Sequence, residues 1–322
     1  MRKGLLRERV MAAFIIRRLG FAVVTLLAVL TLVFVLVRIV PGDPAQVILG
    51  DQASRDAILA MRARLGLDRP LWAQYVEFLS GAVQGDWGVS MVTGRPVIAE
   101  VVRVLPWTME LTCVSLLLGA VIGVPLGVWA AVRRNRLTDY MARIVSLLGL
   151  SFPPFVSAIL LLFGFAILVP WFPVISATTG SVSAWWQAIA LPAVNLGLIT
   201  AAYITRVTRS AMLEVLSEDY VRTARAKGVP WHVVIWRHAL RNALIPIITV
   251  FGLYLSILIG NSVLTEIVFN RPGLGKLIVG ALNQRDYTML QGMMVIYTLI
   301  VVLVNLATDL AYAFADPRVK LQ

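Results

Sequence analysis

The residue types that most often carry chemistry are scarce in this chain of 322 residues, and their spacing does not favour catalysis. His232 and His238 stand at i and i+6, whereas a zinc-binding HExxH helix places its histidines at i and i+4 on one face. Cys113 is the single cysteine, which excludes an internal disulfide and a cysteine-based metal cluster. No Gly-x-Ser-x-Gly motif or paired acidic cluster occurs. The sequence therefore predicts no enzyme, and a membrane hydrolase is the poorer alternative.

A glycine-rich stretch, Pro272–Lys276, invites comparison with a phosphate-binding loop. That loop requires a glycine six residues before its lysine and a hydroxyl residue after it. Asn270 and Leu277 occupy these positions, so the stretch does not fit. We therefore predict no nucleotide site and no metal site in this chain, and any ATP and Mg must be bound by partner subunits.

The most informative segment, residues 219–246, is a short basic stretch between two long apolar runs. Ser217 is a good N-cap for a helix, and Gly228 is a good terminator for it. Acidic residues fall in the first turn and Lys227 in the last, which suits the helix dipole. Pro230 then favours the start of a second helix. A polar helix in this position is expected to face the cytoplasm.

The residues of this helix separate into two faces at 3.6 residues per turn. The small, flat face suits close entry into the groove of a partner, and it contains Tyr220, Thr223, Ala224 and Lys227. The arginine face, expected to point the other way and to meet lipid phosphates, contains Arg222 and Arg225.

The composition requires a membrane protein, because 59% of the residues are hydrophobic and the mean hydropathy is +0.83. Apolar runs of about 20 residues are long enough to cross a bilayer as helices. We predict an all-α integral membrane protein with six transmembrane helices, at about residues 14–40, 106–131, 140–166, 184–206, 243–265 and 289–313. The first run is too long for a signal-peptide core and is predicted to be an uncleaved span.

The loops alternate in charge, which predicts the topology. Residues 1–18, 133–143, 206–241 and 316–322 hold nearly two thirds of the 29 Lys and Arg residues, and the whole net charge of +12 lies on that side. The positive-inside tendency places these segments, and both termini, in the cytoplasm. Because the basic residues are divided over several loops, nucleic acid is not expected as a partner, whereas membrane lipids are.

The first outer loop, about residues 41–104, is long enough to fold. Ser54 to Leu65 is predicted to be a helix closed by Gly66, and a second helix is predicted from Asp68 and Pro70 to Gly81. The second helix has an apolar stripe of Leu71, Tyr75, Phe78 and Leu79. Two roles stay open for this loop, a docking surface for an external binding protein or a cap over the helices. A later outer stretch, Leu277 to Leu282, is predicted to be a short re-entrant or interfacial helix.

Several features inside the spans indicate close packing or a solute path. Gly119, Gly123 and Gly127 repeat at GxxxG spacing, which allows close approach of another helix, most simply as internal packing. Residues 151–154, Ser-Phe-Pro-Pro, break the third span and free backbone carbonyls, which a membrane tolerates only against protein or water. The polar residues of the spans are Glu110, Asn195, Asn261, Asn305 and Asp309. Asp309 is expected to pair with a loop arginine.

Residues 219–246 also resemble the cytoplasmic coupling loop, or EAA motif, of bacterial ABC importer permeases. The strings ARAKG, HALRN and IP, which end at Pro246, are similar to the dipeptide/oligopeptide/nickel branch, although Arg222, Thr223 and Ala224 stand where the general motif has Glu-Ala-Ala. Further matching strings lie in the same order along nearly the whole chain: PGDP (41–44), LGLDRP (65–70), GDWGVS (85–90), EIVFNRPGLG (266–275), RDY (285–287) and DPR (316–318).

This resemblance implies a type I ABC importer permease fold. It implies an N-terminal arm and first span at 1–40, an external loop domain at 41–105, and a core at 106–322 that contains the coupling loop 207–242. The implied partners are a second homologous permease, two cytoplasmic ATPase subunits and an external solute-binding protein. The implied cargo is short peptides, with nickel complexes, glutathione and opine-like solutes left open.

The resemblance and the residues together give three sets of candidate sites. Contact with an ATPase is expected at Tyr220, Thr223, Ala224, Ala226, Lys227 and Gly228. The candidates for the solute path are Glu110, Ser151, Pro153 and Asn261. The candidates for docking of the binding protein are Trp72, Tyr75, Trp87, Glu266 and Arg285. The alternative function is a secondary transporter driven by an ion gradient, and the absence of an inverted repeat or a midplane charge pair in the sequence argues against it.

Overall fold

A computed structural model describes residues 2–39, 43–50, 52–64, 66–174 and 181–315, and at residues 2–14, 44, 47 and 309–315 it describes the backbone alone. Within these residues the fold is helical, and the only β pairing is a single bridge between Val89 and Pro96. The helices are α1 (Arg2–Ile39), α2 (Pro44–Leu49), α3 (Arg55–Arg64), α4 (Leu71–Gln84), α5 (Val97–Val132), α6 (Leu137–Ser151), α7 (Pro154–Leu162), α8 (Val182–Leu216), α9 (Asp219–Ala226), α10 (Trp231–Val233), α11 (Leu240–Val268), α12 (Leu274–Asn283) and α13 (Tyr287–Ala315). Two π-helical turns, Phe163–Leu168 and Val234–Ala239, continue α7 and precede α11.

Among the described residues, five helices are long and apolar enough to cross a membrane, at Ile15–Ile39, Val97–Val132, Val182–Leu216, Trp231–Val268 and Tyr287–Thr308. The predicted third span is instead a pair, Leu137–Ser151 and Pro154–Leu168, bent by 96°. The sixth span therefore exists only if this bent pair crosses as one unit. The predicted fourth span is continuous, because α8 runs through Pro192 and Asn195 without a break.

Some of the predicted features fall outside the described part of the chain. The PGDP string is only partly inside it, and the DPR string at 316–318 is outside. The side chain of Asp309 also lies outside the described residues, so its expected pairing stays a prediction.

The described residues form two compact units. The first contains the residues up to Pro106 and Lys276–Leu306, and the second contains Trp107–Gly275 and the residues from Ala307. The proposed division into a loop domain at 41–105 and a core at 106–322 stays a prediction.

In the first unit, the apolar stripe of α4 lies on α1. The Phe34 ring lies 5.1 Å from the Tyr75 ring and 5.9 Å from the Phe78 ring, measured between centroids. The Tyr75 hydroxyl is 2.6 Å from the Thr31 hydroxyl, and Arg38 donates to Gln74 Oε1 at 3.0 and 3.2 Å. Helices of the same chain therefore cover part of this stripe.

The two helices predicted in the outer loop are confirmed, with one boundary corrected. Ser54 Oγ accepts a hydrogen bond from Ala57 N at 3.2 Å at the start of α3, and Gly66 follows this helix with φ +66°. However, α4 does not end at Gly81, because it continues one further turn to Gly85 at φ +79°. A left-handed residue is what ends a helix, and Gly81 keeps helical geometry.

Two of the strings on which the resemblance rests meet in the first unit, at the start of α13. The Asp286 carboxylate accepts hydrogen bonds from Ser90 Oγ at 2.5 Å and from Met91 N at 3.1 Å. It also accepts one from Met289 N at 3.0 Å, which makes Asp286 an N-cap. Hydrogen bonds between the GDWGVS and RDY strings thus attach the outer loop to the N-terminus of α13.

In the second unit, the three glycines of α5 allow α8 to approach closely, as their spacing predicts. A Cβ atom on Gly123 would lie 2.8 Å from the Ala201 carbonyl oxygen, and a Cβ on Gly127 would lie 2.8 Å from the Thr205 carbonyl oxygen. Thr205 Oγ1 donates to the Gly123 carbonyl at 3.3 Å across this contact. The expectation of internal helix packing is confirmed.

Candidate functional site

The basic segment forms a short helix with a well-defined end. In α9, Gly228 N donates to the Arg225 carbonyl at 2.9 Å and Val229 N donates to the Ala224 carbonyl at 3.2 Å. Gly228 has φ +79°, and the two bonds have the pattern of a Schellman termination, which requires that backbone. The predicted stop is therefore confirmed, and its geometry depends on a glycine.

The predicted start of this helix is wrong by one residue. Glu218 is the N-cap, and it makes no side-chain capping bond. Ser217 has φ −84° and ψ −12°, so it still belongs to the last turn of α8. Its hydroxyl donates back to the Glu214 carbonyl at 2.7 Å instead of capping α9.

The contacts of α9 divide its surface differently from the predicted wheel. Val221 is 2% exposed, and the Arg225 guanidinium lies 4.9 Å from the centre of the Trp231 ring. Tyr220 accepts a hydrogen bond from Asn242 Nδ2 at 2.7 Å, and Ala224 is half-buried. These residues attach α9 to α10 and α11.

The opposite surface of α9 is exposed. It contains Arg222, Thr223, Ala226 and Lys227, with Gly228 at its end. Arg222 donates to Asp219 at 3.3 Å and lies on the exposed side, whereas Arg225 packs on the chain's own aromatic ring. Both arginines are exposed, and whether they face lipid stays a prediction. Thr223, Ala226, Lys227 and Gly228 are free for a partner, and whether an ATPase contacts them stays a prediction.

The break in the third span is confirmed, and α8 binds the helix that follows it. Asn195 Nδ2 donates to the Pro154 carbonyl at 3.0 Å and to Thr265 Oγ1 at 3.3 Å, and Asn195 Oδ1 accepts from Ser157 Oγ at 2.7 Å. Buried Asn195 therefore links the first turn of α7 to α8 and α11. The sequence marked this residue only as polar.

The four candidates for the solute path have different environments. Ser151 and Pro153 are exposed at the bend, and Asn261 is half-buried on α11. Glu110 forms an ion pair with Arg271, which is itself buried, and accepts a hydrogen bond from Trp185 Nε1. Whether any of the four lines the path stays a prediction.

Glu266 is not available as a docking residue, because it is fully buried. Its carboxylate accepts hydrogen bonds from Thr108 Oγ1 at 2.6 Å and from Gly275 N at 2.9 Å. A Cβ atom on Gly273 would collide with this carboxylate, so the glycine-rich turn closes around Glu266. The two glycines of Pro272–Lys276 allow the turn to pack closely, because a Cβ atom on Gly273 would overlap Glu266 and a Cβ atom on Gly275 would overlap Val263. Thr108 lies far away in sequence, and no local pattern indicated its role.

The other docking candidates lie in the first unit. Trp72 is 71% exposed and Arg285 is exposed at φ +54°. Tyr75 and Trp87 are half-buried, and Trp87 Nε1 donates to the Ala82 carbonyl at 3.2 Å. Among the described residues, no group of three His, Cys, Asp or Glu side chains is placed to hold a metal ion.

The comparisons with known proteins match nearly all of the chain. Residues 123–321 match the family model "Binding-protein-dependent transport system inner membrane component", and residues 11–112 match the corresponding N-terminal model. The chain is 41% identical over 310 residues to the glutathione transport system permease protein GsiC of Escherichia coli strain K12. The aligned region covers 96% of this chain and 99% of that protein. The same protein of Shigella dysenteriae serotype 1 has equal identity and coverage.

The solved structures include a fold of the same kind. One chain of a structure of the MetNI methionine ABC transporter in inward-facing conformations aligns with this protein at a TM-score of 0.53 and 22% sequence identity. The alignment covers 67% of this protein and 95% of the MetNI chain. At this identity the likeness concerns the fold. A permease of this kind works together with ATPase and solute-binding-protein subunits in the membrane. This chain belongs to the family of binding-protein-dependent transport system inner membrane components and is a permease of an ABC importer.

Proposed function

We propose that this permease imports short peptides, with glutathione-like tripeptides included, and that it forms half of a translocation path with a second homologous permease. The support is the high identity to permeases of glutathione transport systems over nearly the whole length of both chains. Two cytoplasmic ATPase subunits would bind ATP and Mg and supply the energy. The chain itself would have no catalytic activity, since its histidines and its cysteine lack the spacing that catalysis or metal binding needs.

The exposed surface of α9 is the observation that carries the coupling role. This helix is attached to α10 and α11 by Val221, Arg225 and Tyr220, while its other side is open. A force on the open side would therefore pass into α11, the long helix that contacts α8 and α7. The π-helical turn Val234–Ala239 precedes α11, and such turns are frequent at functional sites. Rigid-body movement of these helices would open the path between the two permeases.

Transport by the assembled complex tests this proposal. The complex, purified by a tag on this chain, is reconstituted in proteoliposomes with its binding protein, and uptake of labelled glutathione and of a labelled dipeptide is measured. We expect uptake that requires ATP and the binding protein and that continues when an ionophore collapses ion gradients. Uptake without ATP that an ionophore abolishes would instead identify a secondary transporter.

Labelling of single cysteines tests the proposed topology. Asp56 on α3 and Lys227 at the end of α9 are both exposed, and exposed Cys113 is first replaced by serine. Because the net positive charge lies on the side of Lys227, we expect an impermeant thiol reagent on intact, outer-membrane-permeabilised cells to label Asp56→Cys and not Lys227→Cys. Detergent-opened cells, in which both positions should react, provide the control. The reverse pattern in intact cells would overturn the topology.

A further inference from the structure

The second unit contains a large apolar groove. It has a volume of about 830 Å³ and lies among α5, α6, α7 and α8. Its walls are almost entirely carbon, with Ile122, Trp129, Val145, Leu148, Phe152 and Ala202 among the lining residues. Val145 and Leu148 are more than half exposed, so the groove is open at its side. A hydrophilic peptide would find few hydrogen-bonding partners here.

One end of this groove adjoins a smaller cavity of about 270 Å³, and three arginines, Arg143, Arg206 and Arg209, border it. The two spaces share the lining residues Ala142, Ser146 and Thr205, so the arginines stand beside the apolar groove. The surface of the smaller cavity is itself mostly apolar, and Arg143 and Arg206 supply positive charge at its border. Positive charge beside an apolar groove matches an amphiphile with an anionic head.

The carboxylate of Asp139 contacts two of these three arginines, Arg209 and Arg143. Asp139 accepts from Arg209 Nε at 2.6 Å and Nη2 at 2.9 Å, and it lies 3.6 Å from Arg143 Nε. Arg209 is therefore engaged by Asp139. Arg143 is held at longer range and is 42% exposed, and Arg206 is exposed. The cluster retains positive charge that a ligand can neutralise.

Hydrogen-bond donors at this end also remain open. Within the described part of the chain, Thr138 Oγ1 and Arg143 Nε are buried atoms without a hydrogen-bond partner. Thr138 lines the apolar groove and Arg143 borders the smaller cavity. Each of these two donors would gain from an acceptor oxygen supplied by a ligand.

One end of the groove has side chains typical of a membrane interface. Trp129 lines the groove near the end of α5, and the Arg133 guanidinium lies 5.1 Å from the centre of its ring. Trp with neighbouring Arg is typical of the membrane interface. On the proposed topology this is the cytoplasmic interface, where anionic lipids and basic pockets between helices meet.

We propose that an anionic phospholipid of the cytoplasmic leaflet occupies this site, with its phosphate at Arg143 and Arg206 and an acyl chain along the groove. The site's leaflet follows from the proposed topology, whereas the binding itself does not depend on the transported cargo. A bound lipid would join α6 to α8, the helix that leads into α9. Free phosphate could bind the arginines but would leave the apolar groove unfilled. A phospholipid fills both parts of the site, and we therefore favour it.

Lipid retention measures the head site. The whole transporter is purified in mild detergent, and retained phosphatidylglycerol and cardiolipin are quantified by mass spectrometry. At about 1 kcal/mol per arginine, we expect Arg143→Gln with Arg206→Gln to lower retained anionic lipid by at least about tenfold. The matched control is Arg134→Gln with Arg136→Gln. These two arginines are exposed in the turn between α5 and α6 and line neither cavity. Equal retention in both double variants overturns the proposal.

A second pair of variants tests the groove without changing a charge. Val145 is 58% exposed and lines the groove, while its neighbour Ile144 is 51% exposed and does not. We expect Val145→Trp to displace the lipid and Ile144→Trp to retain it. A variant that leaves the purified complex in a single size-exclusion peak is folded well enough for this comparison. If Val145→Trp keeps the full amount of lipid, the groove is not the acyl site.

A photo-crosslinking residue at Leu148 identifies the occupant directly. We expect an adduct with the mass of an anionic phospholipid in vesicles of phosphatidylcholine and phosphatidylglycerol. A crosslink to a protein chain would show that a partner helix fills the groove, and equal adducts with both lipids would show no preference for anionic heads. Either result overturns the proposal. None of these measurements uses transport, so they are independent of the peptide cargo.

Discussion

Ala226→Trp is expected to uncouple ATP hydrolysis from transport or to release the ATPase subunits, while the membrane part stays folded. Ala226 is exposed on the free surface of α9, so a large side chain there meets no residue of its own chain but prevents close docking. Misfit in a tight interface costs on the order of 1–3 kcal/mol, which weakens binding roughly five- to a hundredfold. ATPase copurification, ATP hydrolysis and uptake by the reconstituted complex measure the effect. Ala224→Trp is less informative, because half-buried Ala224 also contacts its own chain.

Matched variants separate docking from general damage. Ala60→Trp makes the same change at an exposed site on α3, and it should leave copurification unchanged. Gly228→Val and Gly228→Asn differ chiefly in their tolerance of φ +79°, because a Cβ atom at this position has no neighbour within 4 Å. We expect the valine variant to lose coupling and the asparagine variant to keep most of it. Wild-type transport by Ala226→Trp together with loss in Arg222→Ala would mean that another surface of α9 docks.

Asp139→Ala is expected to destabilise the second unit more than any single surface change. Asp139 is fully buried, holds Arg209 with two hydrogen bonds, and accepts Asn135 N at 2.9 Å in the turn between α5 and α6. Removal of one partner of a buried pair leaves the other charge uncompensated, which costs about 3–5 kcal/mol. A lower midpoint of thermal unfolding and a lower yield of purified complex should follow.

The control for Asp139 is an exposed pair on the other unit. Arg69 and Glu77 are 3.2 Å apart with side chains 62% and 66% exposed, and such pairs contribute about 0–1 kcal/mol. Glu77→Ala should therefore leave the unfolding midpoint almost unchanged. If Asp139→Ala unfolds at the same temperature as Glu77→Ala, the Asp139–Arg209 pair is not a stability determinant.

The attachment of α9 gives a physical route from a docked ATPase to the spans. Val221 is buried against the chain, and the Arg225–Trp231 and Tyr220–Asn242 contacts fix both edges of the helix. A movement of the free side therefore displaces α11 instead of bending α9 alone. On the proposed docking, coupling would depend as much on these inward contacts as on the exposed surface of α9.

The sequence by itself determined the features that depend on local geometry and on solvent. Runs of about 20 apolar residues predict membrane helices because a helix of that length satisfies its own backbone hydrogen bonds in lipid. Gly228 and the Ser-Phe-Pro-Pro break were predictable because φ preference and the missing proline N–H act within a few residues. The glycines of α5 were predictable in kind, since absent side chains permit close helices, although their partner, α8, was not.

Tertiary structure decided the features that depend on which distant residues meet. Glu266 looked like an exposed loop acid, yet Thr108 and the turn at Gly275 enclose it, and no local pattern records that contact. Asn195 was only a polar residue in a span until the fold placed it beside Ser157 and the Pro154 carbonyl at the start of α7. The inner side of α9 was decided in the same way: a helical wheel orders residues around an axis, but only the fold shows that Val221 is buried and that Tyr220 bonds to Asn242.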